Sequence, residues 1–164
     1  MQGLMEELVS ILKAELAALE KMALAAEKQN AALRKNSGDS LNEATRELEF
    51  LARQMEELKA ARTRVQECAG RACGLPPGAP LAELVAALPP VPGRQEAMNL
   101  VTELQGKARE LAEQVRLNNL LAQNALRFCD RLLRAVAPAP AKTYLPDGVM
   151  DKGGTGPSFV DKSV

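Results

Sequence analysis

NSGDSLNE, Asn36 to Glu43, decides how this chain folds. The sequence on either side is helical in pattern, and here the pattern breaks. Asn36, Ser37, Gly38 and Asp39 are four turn-forming or capping residues in a row, so an incoming helix should end at them. Ser40-Leu41-Asn42-Glu43 then fits a capping box, in which the Ser hydroxyl accepts from the third helical amide and the Glu reaches back. A second helix is therefore expected from Ser40. Two long helices joined by so short a loop fold into an antiparallel hairpin.

Working outward, the first arm runs from Leu4 to about Lys35. Leu8, Leu12, Leu16, Leu19, Met22, Ala26 and Leu33 recur at steps of three, four or seven and make one apolar stripe. Charged residues such as Glu7, Lys13, Glu20 and Lys28 lie mostly off it. The second arm repeats Leu41, Ala44, Leu48, Leu51, Met55, Leu58 and Val65 as a heptad seam and stops near Gly70–Gly74. Leu19 and Met22 should then face Met55 and Leu58.

Next comes GLPPGAPLAELVAALPPVPG, where proline pairs bracket a short helix, Leu81 to Leu88, with Pro80 in its first turn. Leu81, Leu84, Val85 and Leu88 share a face, so the element reads as a crossover capping the end of a bundle. A third long helix runs from about Gly93 to Val136, about 65 Å at 1.5 Å per residue. Its seam is Leu104, Leu111, Asn118, Ala125 and Leu132, flanked by Val101, Ala108, Val115, Ala122, Cys129 and Val136. An Asn in such a seam fixes register at some cost in stability. After Val115 the apolar arc widens, adding Leu117, Leu120, Leu121, Leu126, Phe128 and Leu133. Either this surface packs on the hairpin and the short helix, or it is a groove awaiting an apolar partner helix. Residues 137–164 break every periodicity and are rich in Pro and Gly, so a disordered tail is expected.

The fold class expected is thus all-α: an elongated antiparallel helical bundle or coiled coil of three long helices plus one short connector helix. Residues 1–136 form the helical domain and 137–164 the flexible tail. Ala, Leu, Glu, Arg, Lys and Gln dominate, as long helices require.

The same composition argues against several functions. Basic and acidic residues balance at 21 each, which gives no electrostatic reason to expect nucleic acid or an anionic membrane. There is no histidine, the commonest general acid/base and metal ligand. No carboxylates pair in an apolar setting, so acid/base catalysis is unsupported and the chain is not expected to be an enzyme. Cys68, Cys73 and Cys129 lack zinc-site spacing and read as reduced structural thiols; no metal or cofactor is expected. DKGGTG lacks the features of a phosphate loop. No apolar run reaches membrane-spanning length, and MQGLMEELVS lacks a signal peptide's basic start, so a soluble cytoplasmic protein is expected.

In chain order, five segments carry a resemblance. They are the N-terminal MEELVSILKAEL helix with its long partner, the GLPPGAPLAELVAALP connector, the Asn-containing NNLLAQNALRFCDRLLRAV helix, TYLPDG, and the closing SFVDKSV. Together they resemble the FlgN-type flagellar export chaperones over essentially the whole chain. The doubled prolines and the alanine-rich first helix depart from that pattern in detail. The resemblance implies a cytoplasmic type III secretion chaperone that binds hook-associated (hook–filament junction) proteins. It would cover their amphipathic terminal helices, prevent premature polymerisation and deliver them to the flagellar export apparatus. Client contacts would then be Leu117, Asn118, Leu120, Leu121, Asn124, Phe128 and Leu133. Tyr144, the sole tyrosine, would dock the loaded chaperone to the export gate/ATPase complex. The alternative is a structural coiled-coil protein that uses its surplus apolar surface to form a homo-oligomeric scaffold, and a homodimer of the chaperone is compatible with either reading.

Overall fold

The computed structural model describes residues 2–136. The expected tail, 137–164, including Tyr144, lies outside the described residues. Its four helices are, in chain order, α1 Gln2–Lys35, α2 Gly38–Ala72, α3 Leu81–Ala87 and α4 Arg94–Val136. Among the described residues there is no strand, and the all-α expectation holds. The chain divides into two compact units, Met1–Asn119 and Leu120–Val164.

In the first unit, Asn36 ends α1 in the left-handed region at φ 52, a conformation that Asn tolerates better than most side chains. The Ser37 amide donates to the Ala32 carbonyl (3.0 Å) and the Asn36 amide to Leu33 (3.3 Å), closing a Schellman motif. The capping box expected at Ser40 does not form. α2 starts two residues earlier, at Gly38 with Ser37 as its cap, so Ser40 is already inside the first turn. The Ser37 hydroxyl makes no cap bond but donates to the Ser40 hydroxyl at 2.9 Å.

Three polar pairs fix the hairpin register: Glu15 with Arg62 (2.9 Å), Lys28 with Glu47 (2.8 Å) and Gln29 with Thr45 (3.2 Å). Each joins residues nearly equidistant from the turn. Leu19 and Met22 therefore sit level with Met55 and Leu58, as the heptads imply, and all four are half-buried. Ala18, Ala25, Ala26, Ala32 and Ala44 are buried along α1 and α2, where small side chains let helix axes come close.

The main core lies at the hairpin's open end. Met5, Leu8, Val9 and Leu12 of α1 pack with Val65 and Ala69 of α2, Leu84, Val85 and Leu88 at α3, and Ala97, Leu100 and Val101 of α4. Full burial of one such aliphatic side chain contributes about 1.5–3 kcal/mol. The connector helix thus caps the bundle end as expected, with Pro80 as its N-cap residue and not in its first turn. Arg94 locks the next step: its Nε donates to the Val85 carbonyl (3.0 Å) and its Nη2 to Ala86 (2.7 Å), satisfying carbonyls at the end of α3. Gly93 enters α4 at φ 88, and a Cβ there would lie 3.3 Å from Met5 Cγ, so both backbone and space call for glycine.

From Arg94 to Asn119, α4 runs parallel to α1. Lys13 meets Glu96 at 2.7 Å near one end, and Asn118 meets Ala26 near the other. Gly106 does not interrupt the helix; a glycine inside a helix costs about 1 kcal/mol in propensity and does not by itself break it.

Candidate functional site

Asn118 is 1 % exposed, the most deeply buried polar residue of the first unit. It sits where the seam pattern places it, and its amide is saturated. Its Oδ1 accepts from Asn30 Nδ2 (2.7 Å), while its Nδ2 donates to the Ala26 carbonyl (2.8 Å) and to Gln29 Oε1 (3.1 Å). Gln29 Nε2 passes the chain to the Thr45 hydroxyl, which donates to the Leu41 carbonyl at 2.8 Å. One polar relay therefore joins α4, α1 and α2. Each amide orientation is set by the next, and no buried side-chain polar atom among the described residues lacks a partner. With its amide spent inside the bundle, Asn118 belongs to register and not to an outward-facing surface. Leu117, its neighbour in the same unit, is 44 % exposed.

No sequence pattern marks Glu15, which is 4 % exposed and bonded to a largely buried Arg62. At the surface, the guanidinium of Arg116 hydrogen-bonds Glu113 and holds its carboxyl below the usual carboxylate range.

In the second unit the described residues are the remainder of α4, and none is buried. The seam positions Ala125, Cys129, Leu132 and Val136, on a surface that the sequence left open between core packing and an exposed groove, are all exposed here. Leu120 (48 %), Leu121 (36 %), Leu126 (70 %), Phe128 (62 %), Leu132 (49 %), Leu133 (69 %) and Val136 (81 %) all meet solvent. At 100° per residue, the positions from Phe128 round through Leu121, Leu132, Val136 and Leu133 to Leu126 form one apolar arc of about 160°. Asn124 lies beside its Phe128 edge. Leu120 falls outside the arc, between Arg127 and Arg131 on the polar side. Of the sequence candidates in this unit, the helix thus brings Leu121, Phe128 and Leu133 onto one face, puts Asn124 at its border and sends Leu120 elsewhere. Leu126 and Leu132 complete the face. A patch of this kind on a single helix has the chemistry of a helix-docking surface.

Among the described residues, no group of side chains could hold a metal ion, and no helix is long and apolar enough to cross a membrane. Cys68 and Cys129 are exposed free thiols and Cys73 is a half-buried one.

The family model described as FlgN protein matches residues 1–152, nearly the full chain. The chain belongs to the FlgN family. No curated protein and no solved structure matches it. FlgN proteins are a family of flagellar export chaperones.

Proposed function

We propose that this FlgN-family chain is a cytoplasmic chaperone for hook-associated proteins, holding their amphipathic terminal helices against the Leu121–Phe128–Leu133 face of α4. Covering those helices keeps the clients from polymerising before export, and the loaded chaperone then passes them to the flagellar export gate/ATPase complex. The observation that carries this reading is the exposure of Leu126, Phe128, Leu132 and Leu133 along one helix. An amphipathic client helix buries just such a stripe by its own i, i+3, i+4 anchors. Asn124 joins as a border contact, and Tyr144 is the proposed docking residue for the gate. A tyrosine supplies large apolar area and a hydroxyl at low entropy cost, which suits an anchor in a Pro/Gly segment.

Co-expression with each hook-associated protein, followed by mass measurement of the eluted species, tests the reading. A defined complex that disappears when the client's terminal helices are deleted is expected. Self-association of the chain that ignores those helices would favour a homo-oligomeric scaffold instead.

A further inference from the structure

We propose that the groove between α2 and α4 is a binding site for a small amphiphilic carboxylate, an aliphatic chain with one anionic head, held by Lys59 and Arg62. The groove lies within the first unit and shares no residue with the face described above. α1, α2, the start of α3 and α4 all border it, around a cavity of about 390 Å³. Its walls are aliphatic: Leu19, Met55, Leu81 and Leu104 line it half-buried, with Ala108 exposed at its side. Apolar walls, a few convergent polar groups and a place between the helices of a bundle are the usual features of a small-ligand site, and the volume is in the usual range.

The charged side chains that line it are Lys59 and Arg62 against Glu15, two cations against one carboxylate, a net of +1. Arg62 spends only its Nε on Glu15, at 2.9 Å. Its Nη nitrogens have no hydrogen-bond acceptor among the described residues, and Lys59, one turn away on α2, has no ion-pair partner there. Other charges on the lining helices leave the sign unchanged. At 100° per residue, Glu20, Glu57, Glu83, Glu103 and Glu110 project more than a quarter turn from the lining positions of their helices. Glu56 on α2 and Arg109 on α4 flank the groove at about a quarter turn, and their charges cancel. A carboxylate head accepts from the Arg62 Nη and the Lys59 Nζ in charge-assisted bonds, while its chain lies along Leu19, Met55 and Leu104. A neutral head leaves both cations unanswered, and an ammonium head meets like charge.

Calorimetric titration of the full chain with decanoate, decanol and decylamine, each below its micelle concentration, tests this. The three share one aliphatic chain and differ in the head alone. Decanoate should bind about tenfold tighter than decanol, the scale of one charge-assisted hydrogen bond, and decylamine should bind weakest. Two exposed positions give variants that spare the core: Lys59→Glu reverses the field at the head, and Ala108→Phe fills the groove. Each should weaken decanoate by about tenfold at unchanged helicity, and Lys59→Glu should also erase its advantage over decanol. Equal binding of decanoate and decanol to the native chain overturns the charge assignment. Decanoate affinity that survives both variants, or a native chain that does not bind decanoate, overturns the site. Client capture plays no part in these measurements, so the two readings stand or fall separately.

Discussion

Asn118 and Asn30 are joined side chain to side chain at 2.7 Å, across the seam between α4 and α1. The bond is the first step of the relay that ends at the Leu41 carbonyl, so removing Asn118 strands three partners at once. Asn118→Ala should destabilise the chain by about 1–3 kcal/mol, the cost of leaving buried polar groups unpaired. Urea unfolding monitored by helicity measures it; a variant as stable as the parent would show that water replaces the amide without loss.

Glu15 and Arg62 pose the opposite question, because a buried ion pair costs desolvation to form. Breaking it from one side, with Glu15→Ala, should cost about 3 kcal/mol. Replacing both residues with methionine should be near neutral. If the double variant is as unstable as the single, the pair contributes more than its own desolvation.

How far the chain's sequence could be read depends on what burial does to a pattern. The hairpin, the crossover and the start of α4 were legible because Leu8, Leu12, Val65, Leu84 and Val101 obey one helical period and one side only. The Ser40 capping box failed because a local motif at the turn lost to a helix that begins two residues sooner. Whether the seam beyond Asn118 is covered could not be read from sequence, for a different reason. Ala125, Leu132 and Val136 repeat as faithfully as Val101, Leu111 and Asn118, which are buried, and periodicity records which residues share a face without recording whether anything covers it. Glu15 was missed since its partner lies 47 positions away, out of reach of local spacing.

On the docking face, Phe128→Glu and Leu133→Glu should each weaken client binding by about 2–4 kcal/mol, the scale of an interface hot spot. Leu120→Glu, off the arc, should cost less. Calorimetry with circular dichroism separates loss of binding from loss of fold. Equal losses at all three positions would mean that the face is wider than the arc.

Cys129 lies inside the arc and Cys68 lies on α2, and both are exposed. A thiol reagent should modify both readily in the free chain. With a client bound, Cys129 should be protected and Cys68 should not. Unchanged labelling of Cys129 in a verified complex would place the client elsewhere.

Tyr144→Ala should keep client affinity while weakening binding to the export gate's cytoplasmic domain and lowering secretion of the hook-associated proteins. Pull-down and secretion assays read the two steps apart. Normal secretion, or loss of the client itself, would move the docking role to another residue.

Among the described residues, burial along α4 ends at Asn118. A single helix of the remaining length is marginal in water, so its hydrogen bonds open at little cost compared with those of the core. Hydrogen exchange should be fast there and slow around Met5 and Val101. Whatever docks on the face must therefore spend part of its attraction on ordering the helix, which leaves a grip that is broad in area but quick to let go. In the carrier role proposed for this chain, ready release is as useful as capture.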